Sequence, residues 1–469
     1  MNCIQLFQEQ VKATPERDAL MFLDTGYSIT FKELYDLSSA IQQQMVKAGL
    51  MEGHTILVGA NLSPQLYATI IAALGLGVGV IFVEPFMPIK KIQRIIENMQ
   101  PRAFIYDGLG RFWGLRVKAI RGIPHKLYLG QNIPINRQPL KVTNLPPETL
   151  GMVAFTSGTT GEPKGISRHH SYLVHQHEVL ISSFHQKDAK NPDLTIFANF
   201  ALSNLAQGRA SIIISPRWKL KTLKKIDHLP KHLQPETLTT GPAFLLTLMG
   251  ASQSSNLKSI HIGGALTDCW IMEKSFSHWE EASIQHVYGS SEAEPVATSD
   301  AREAVRKSRQ KGFFQTLYLG RPVESIESQL ETDTVWVTGP HVCPKYLYNE
   351  QENQSAKRSD ESGNIWHRMG DRIVEEDGWW YAGRSHQSTD DFRLEQNIYS
   401  FLSHSKAIVN RTPKDSLSLV GRVGKESLVL RKAFPEIKDI HESPIIRDKR
   451  HRSRLDRSQM VAKAIGERV

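Results

Sequence analysis

The segment Phe155-Thr-Ser-Gly-Thr-Thr-Gly-Glu-Pro-Lys-Gly165 is the most informative stretch of this 469-residue chain. It follows the apolar run 152–155, so we expect the loop to leave the end of a strand. Its glycines and hydroxyls let backbone amides converge on an anion, and Lys164 adds a mobile positive charge. A plain surface turn explains neither the strand lead nor the pairing of Pro163 with Lys164. The segment therefore predicts a phosphate-binding loop, although it lacks the Walker spacing GxxxxGK(S/T).

Helix-like and strand-like segments alternate on both sides of this loop. Thr30 and Glu33 form a capping-box pattern, Ser63 precedes a helix-initial proline, and the runs 56–58, 80–83 and 103–106 are typical of buried strands. Such βαβ alternation predicts an α/β fold with parallel sheets covered by helices. A small strand-rich subdomain is expected over residues 335–382. We predict two domains, residues 1–383 and a short α+β C-terminal module, residues 384–469.

Composition excludes several classes of protein. The three cysteines are far apart and form no CxxC pair, which argues against a disulfide scaffold or a structural zinc site. The net charge of +9 is small for 469 residues, and part of it comes from the basic run 447–454. Because no nucleic-acid-binding motif accompanies this charge, we expect no nucleic-acid partner.

Residues 60–83 carry no charge, but Gly75, Gly77 and Gly79 divide them into a helix, a glycine turn and a strand. The sequence thus predicts a cytoplasmic protein without a transmembrane segment.

The glycine-rich loop closely resembles the signature loop of the adenylate-forming superfamily, which contains acyl-CoA synthetases, peptide-synthetase adenylation domains and luciferases. The resemblance covers nearly the entire chain, because further motifs follow in that superfamily's order: Ile262-Gly-Gly-Ala-Leu266, Tyr288-Gly-Ser-Ser-Glu292, Leu319-Gly-Arg-Pro-Val323, Val337-Thr-Gly-Pro340, Met369-Gly-Asp371, Gly383-Arg384 and Phe392-Arg-Leu-Glu395. Within the superfamily, short stretches such as His367-Arg-Met-Gly-Asp371 and Phe200-Ala-Leu202 most resemble the olefin β-lactone synthetase group.

This resemblance implies ATP-dependent, AMP-forming activation of a carboxylic acid, with a fatty acyl or β-hydroxy acid expected. The acyl-adenylate then passes to CoA or is captured by its own β-hydroxyl as a β-lactone. ATP and Mg²⁺ are implied, and CoA is a candidate second substrate. The implied Mg²⁺ ligand is Glu292, since this hard cation prefers carboxylate oxygen. Arg454 and Lys164 are the implied catalytic residues. The implied nucleotide-binding residues are Thr156, Ser157, Gly158, Thr159, Thr160, Gly161, Gly263, Gly264, Ala265, Tyr288, Gly289, Ser290, Ser291, Asp371 and Arg384.

Departures from the family pattern leave an alternative open. Arg454 occupies the position of the family's catalytic lysine, and arginine lacks the compact point charge of lysine; Lys449 or Lys463 are the possible substitutes. Asp391 replaces a glycine where the family passes pantetheine, and the C-terminal module is short. The alternative is a degenerate adenylate-binding homologue without turnover that acts as a regulatory or partner protein.

Side chains outside these motifs have simpler interpretations. The histidines that follow the loop are expected on a helix, at the surface or lining a pocket, with no metal: His169, His170, His175 and His177. Trp379 and Trp380 are expected to pack in the core.

Overall fold

The computed structural model describes residues 1–83, 87–108, 110–130, 133, 138–156, 163–184, 191–216, 218–252, 256–332, 334–385, 387–404, 407–411, 416–447 and 455–464. The strands within these ranges are β1 (Asp18–Phe22), β2 (Tyr27–Thr30), β3 (Thr55–Gly59), β4 (Gly79–Val83), β5 (Ala103–Tyr106), β6 (His125–Tyr128), β7 (Leu150–Thr156), β8 (Lys164–His169), β9 (Asp193–Thr195), β10 (Ser211–Ile213), β11 (Thr237–Thr240), β12 (Ser259–Ile262), β13 (Ser283–Ser290), β14 (Ala293–Asp300), β15 (Tyr318–Pro322), β16 (Glu327–Glu331), β17 (Thr334–Thr338), β18 (Tyr346–Leu347), β19 (Lys357–Ser359), β20 (Ile365–Glu375), β21 (Trp379–Arg384), β22 (Ala407–Arg411), β23 (Leu417–Gly421) and β24 (Ile437–Glu442).

The α-helices of the same ranges are α1 (Ile4–Ala13), α2 (Phe31–Lys47), α3 (Pro64–Leu76), α4 (Ile89–Met99), α5 (Gly110–Arg116), α6 (Lys118–Arg121), α7 (His170–Ser183), α8 (Phe200–Ala206), α9 (Leu220–Leu223), α10 (Pro242–Met249), α11 (Cys269–His278), α12 (Ala301–Gln310), α13 (Glu350–Ala356), α14 (Thr389–Leu402), α15 (Ser427–Ala433) and α16 (Arg457–Ala464). Short 3-10 helices cover Lys224–His228, Lys231–Leu233 and Gly424–Glu426.

These strands form two large sheets and one small sheet. One large sheet has the order β18-β8-β7-β4-β3-β5-β6 and is parallel from β7 to β6. The other has the order β16-β17-β20-β21-β15-β14-β13-β12-β11-β9-β10-β1-β2 and is parallel from β13 to β1. The C-terminal module contains β22-β23-β24. The predicted α/β class, with an antiparallel strand-rich part and an α+β module, is confirmed.

Local sequence signals explain several helix boundaries. Thr30 and Glu33 make the predicted capping box at the start of α2. Ser63 accepts a hydrogen bond from the Leu66 amide at the start of α3, with Pro64 in the first turn. The predicted glycine turn at 75–79 is partly wrong, because Gly75 lies inside α3 and the chain turns only at Gly77, where φ is +75°.

Within the described residues, no helix is both long enough and apolar enough to cross a membrane.

The C-terminal module packs on the larger part of the chain through α14. Phe392 is buried beside Trp380 and Tyr318, and the Gln396 amide donates a hydrogen bond of 2.9 Å to Gln315 Oε1. The predicted boundary between residues 383 and 384 falls at the last residue of β21, just before this helix. Trp379 is fully buried, so the predicted core role of the tryptophan pair is confirmed.

A buried carboxylate joins the central strands of the larger sheet. Asp193, at the start of β9, is 1% exposed and accepts hydrogen bonds from Thr237, Thr239 and Asn204. Burial raises the pKa of Asp193, while the nearby Arg209 guanidinium opposes that shift. The cluster links β9, β11 and α8 next to β12, the strand that leads to Gly263.

We predict that Asp193→Ala lowers the free energy of unfolding by about 3 kcal/mol, because it removes one of the two carboxylates near the buried Arg209 and takes a shared acceptor from three donors. Urea-induced unfolding monitored by circular dichroism measures the change. Asp439→Ala, at an exposed position of β24, is the matched control and should change stability by less than about 0.5 kcal/mol. Equal stability of the two variants would contradict a structural role for this cluster.

Candidate functional site

The signature loop connects two paired antiparallel strands. Thr156 ends β7 and is the partner of Lys164, which begins β8. The predicted residues Ser157, Gly158, Thr159, Thr160 and Gly161 lie outside the described residues. The strand predicted to precede the loop is present as β7, and its pairing with β8 places Lys164 at the base of the loop.

The Lys164 side chain is held in an ion pair. Its Nζ lies 2.6 Å from Oε2 of Glu352 on α13, and the two side chains are only 17% and 11% exposed. The same ammonium lies 5.4 Å from the centre of the Tyr346 ring, within the range of a cation–π contact. Lys164 is thus fixed against the wall formed by β18 and α13.

Tyr346 connects this wall to Glu292. Its hydroxyl donates a hydrogen bond of 2.7 Å to Glu292 Oε1, and the Lys357 ammonium lies 5.1 Å from the centre of the Tyr346 ring. Burial by itself raises the pKa of Glu292, but His367, the Tyr346 hydroxyl and Lys357 outweigh it and hold that pKa below its ordinary value. Glu292 is therefore ionised at neutral pH.

Glu292 lies at the tip of the hairpin between β13 and β14. Ser290 pairs with Ala293, which leaves Ser291 and Glu292 as the connecting residues. Arg168 donates a hydrogen bond of 3.1 Å to the Ser291 carbonyl, and the Cys343 amide donates one of 2.7 Å to the Glu292 carbonyl. A side chain at Gly289 would place its Cβ 2.8 Å from the Ala293 carbonyl, so this tight hairpin requires glycine there.

Asp371 is the centre of a second group of polar side chains. Tyr288 donates a hydrogen bond of 2.9 Å to Asp371 Oδ2, and Arg384 Nη1 lies 2.8 Å from Oδ1. The charge of Asp371 raises the pKa of Arg384, and burial together with Asp371 raises that of Tyr288. The structure thus brings Tyr288 and Arg384, which belong to different motifs of the sequence, into contact with Asp371.

The predicted turn Gly263–Gly264–Ala265 follows β12, next to β13. Gly264 has a φ of +78°, a left-handed conformation that favours glycine. A Cβ on Gly263 would lie 3.1 Å from the Val287 carbonyl, so the turn passes directly beside the strand that carries Tyr288. The structure therefore brings this turn to the same sheet edge as Tyr288, at the carboxyl ends of parallel strands.

The C-terminal module contributes a residue that the sequence did not single out. Arg457 donates a hydrogen bond of 2.9 Å to Glu395 Oε2, and its charge is near enough to Arg384 to oppose that residue's pKa shift. Arg454 and Lys449 lie outside the described residues, whereas Lys463 is on α16. Glu395 also accepts hydrogen bonds from the Tyr399 hydroxyl and the Val409 amide, so it organises the module's interior.

A cavity of about 60 Å³ lies between α1, α3, α7 and α8. It is mostly apolar, with Arg168, Gln176, His177 and Ser203 among its polar lining. His177 Nδ1 is 2.9 Å from Ser203 Oγ, and burial lowers the pKa of His177 to about 4. The predicted pocket-lining role of a histidine from this run is confirmed for His177.

The sequence did not indicate several residues of the site. Tyr346, Glu352 and Lys357 come from β18, α13 and β19, which carry no recognisable binding motif. His367 was noted only as part of a motif, and burial followed by the charge of Lys357 lowers its pKa to about 4. These side chains have no sequence signal of their own, and only the folded structure brings them next to Glu292 or Lys164.

A single carboxylate is a sufficient protein contribution to a magnesium site of the kind implied by the sequence. No group of three or more His, Cys, Asp or Glu side chains within the described ranges is arranged to hold a metal ion. Mg²⁺ commonly takes one or two carboxylates together with substrate phosphates and water. The ionised Glu292, at the hairpin tip near Lys164, fits that mode of binding.

Comparisons with known proteins agree with this arrangement. The family model described as AMP-binding enzyme matches residues 7–347. Nonribosomal peptide synthetase Ao415 from Arthrobotrys oligospora is 26% identical over 94% of this chain, which spans 13% of that synthetase. Peroxisomal OPC-8:0-CoA ligase 1 from Arabidopsis thaliana is 24% identical over 79% of this chain and 73% of its own length.

The fold also has close counterparts among solved structures. Amide bond synthetase McbA from Marinactinospora thermotolerans superposes with a TM-score of 0.73 at 15% identity, over 98% of this chain and 99% of that one. The predicted resemblance to the adenylate-forming superfamily is confirmed. The family match over more than half of the sequence and the shared fold show that this chain belongs to the AMP-binding enzyme family.

Proposed function

We propose that this protein activates a carboxylic acid with ATP, forming an acyl-adenylate and releasing pyrophosphate. The observation that carries the proposal is the contact of Asp371 with both Tyr288 and Arg384, beside the cluster that contains Glu292 and Lys164. These groups supply the two functions that the reaction needs, recognition of a nucleoside and stabilisation of phosphate charge.

Asp371 is suited to bind the ribose. A carboxylate offers about four lone-pair directions. Tyr288 uses one of them on Oδ2, while Arg384 pairs with Oδ1 through its charge, and Oδ1 has no hydrogen-bond partner among the described residues. The remaining lone pairs can accept two neighbouring ribose hydroxyls. Tyr288 and Arg384 fix the carboxylate before the nucleotide arrives, so its binding costs less side-chain entropy. The turn of Gly263, Gly264 and Ala265, which passes beside the strand that carries Tyr288, is assigned to the adenine.

The phosphate end is assigned to the signature loop, Lys164 and Glu292. Attack of the acid carboxylate on the α-phosphorus and departure of pyrophosphate concentrate negative charge on phosphate oxygens. Backbone amides of residues 156–161, the Ser290 and Ser291 hydroxyls and the Lys164 ammonium are the donors for those oxygens. Mg²⁺ held by Glu292 neutralises part of the charge when it is bound.

The second step is proposed to be capture of the acyl-adenylate by a β-hydroxyl, with transfer to CoA as the competing route. Asp391, which replaces the family's glycine, is buried and its Oδ1 lies 2.6 Å from Arg411 Nη2. This pair fills the start of α14 with bulky groups, which supports a reaction that needs no pantetheine passage. A fatty or β-hydroxy acid remains our proposed substrate, and the domain division at residue 383 remains a prediction.

The direct test is pyrophosphate release by the full-length chain with ATP, Mg²⁺ and a panel of acids. We expect release with at least one medium- or long-chain β-hydroxy acid and no acceleration by CoA, with a β-lactone detected by mass spectrometry. Acceleration by CoA of tenfold or more, with thioester formation, would instead support the CoA route. No release with any acid would count against the enzyme itself.

Glu292→Gln should lower acid-dependent pyrophosphate release about 100-fold and raise the Mg²⁺ concentration needed for half-maximal activity, because the amide keeps the size but loses the charge that binds a hard cation. The magnesium dependence of initial rates is the measurement. Glu294→Gln, two residues further along the hairpin, is the control. A variant with the parent's magnesium dependence would mean that Glu292 is only structural.

The alternative function, an adenylate-binding protein without turnover, is favoured by one observation, the arginine at position 454 where the family has lysine. If the C-terminal segment is catalytic, Arg454→Ala should lose adenylate formation about 100-fold but retain ATP binding, because the nucleotide-contacting residues lie elsewhere. Arg454→Lys should keep or raise activity. Arg447→Ala is the control from the same basic segment.

An inactive parent whose Arg454→Lys variant turns over would identify a degenerate binder. If an active parent and both Arg454 variants have equal rates, position 454 has no catalytic role, and Lys449 and Lys463 are the next residues to replace.

A further inference from the structure

Lys164 is already paired with a carboxylate before any phosphate is bound. Its Nζ lies 2.6 Å from Glu352 Oε2, and both side chains are largely withdrawn from solvent. At such low exposure an ion pair is weakly screened by salt and is stronger than a surface pair. Any anion that binds Lys164 therefore competes with Glu352.

The backbone of Glu352 is fixed by its neighbours. Its amide donates a hydrogen bond of 3.1 Å to the side chain of Asn349, which caps α13. Asn353, the next residue, exchanges two hydrogen bonds of 2.8 Å with the backbone of Tyr346. Since Tyr346 also contacts Glu292 and Lys164, α13 and β18 form one unit that holds the carboxylate beside the base of the signature loop.

The position of Glu352 is unfavourable for a bound polyphosphate. The Glu352 carboxylate close to Lys164 repels the phosphate oxygens that this ammonium is expected to bind, and it occupies one of the three donors of the ammonium group. Removing the carboxylate also removes this repulsion, so the anion should bind more tightly.

We propose that Glu352 is a positioning residue that holds Lys164 in competition with the polyphosphate, and so weakens the binding of ATP and of the product pyrophosphate. This inference rests on the proposed function, because it requires that Lys164 contacts phosphate. Its consequence for turnover is faster release of pyrophosphate, since Glu352 recaptures Lys164 as the anion leaves.

The experiment measures the dissociation constants of ATP and pyrophosphate by isothermal titration calorimetry on the full chain at fixed Mg²⁺ concentration. Four proteins form a double-mutant cycle: the parent, Glu352→Gln, Lys164→Met and the combination of both. Glu350→Gln removes the same charge from an exposed position of the same helix and is the matched control. Glu352→Asp keeps the charge and serves as a second variant if the amide variant is unstable.

We expect Glu352→Gln to bind pyrophosphate about tenfold more tightly than the parent, and the gain to fall below about twofold when Lys164 is replaced by Met. Glu350→Gln should stay within about twofold of the parent, and Glu352→Asp should remain closer to the parent than Glu352→Gln. Unchanged or weaker binding by Glu352→Gln would overturn the inference. An equal gain in the Lys164→Met background would also overturn it, because Glu352 would then act on the anion without Lys164.

The outcomes separate this inference from the proposed function. A parent chain that binds neither ATP nor pyrophosphate contradicts the proposed function. A parent that binds both, with affinity reduced by Lys164→Met but unaffected by Glu352→Gln, contradicts only the role of Glu352.

Discussion

The carboxylate of Asp371 is the interaction on which the arrangement of the site depends. It lies on β20, receives the hydroxyl of Tyr288 from β13 and pairs with Arg384 at the end of β21. β20 and β21 are paired neighbours with Asp371 opposite Arg384, whereas β13 lies three strands beyond β21 in the same sheet. The C-terminal module follows β21. Because two of its neighbours are fixed by strand pairing, the carboxylate has one well-defined orientation. A preorganised acceptor of this kind is what recognition of a pair of ribose hydroxyls requires.

Charge around the site is compensated by internal pairs. Lys164 pairs with Glu352, Arg384 with Asp371 and Arg457 with Glu395, while the Tyr346 hydroxyl hydrogen-bonds to Glu292. A partly buried cation without a partner would be costly, so this pairing stabilises the protein when no nucleotide is bound. Under the proposed function, a polyanion binds by exchanging partners with these pairs. Affinity is therefore set by the internal carboxylates as well as by the cations.

The C-terminal module is tied to the rest of the chain by both apolar and polar contacts. Phe392 packs with Trp380 and Tyr318, and Gln396 hydrogen-bonds to Gln315. Glu395, between them, is 1% exposed and binds Arg457 from α16. Docking of α14 thus determines where Glu395 and its partner Arg457 lie relative to Arg384. The module acts on the group around Asp371 through the charge of Arg457, which opposes the pKa shift of Arg384, even though its own core is separate.

The sequence by itself determined the fold class and most of the local helix signals, and it supplied the residues proposed to surround the nucleotide, because loops, caps and strand periodicity are short-range patterns. The capping box at Thr30 and the strand before Thr156 are examples. It did not indicate that Glu352 pairs with Lys164 or that Tyr346 reaches Glu292. Those contacts join residues between 54 and 188 positions apart, and the pairing of β18 with β8 creates them. Only the tertiary structure decides them, since long-range contacts depend on how the sheets assemble rather than on the spacing of residues along the chain.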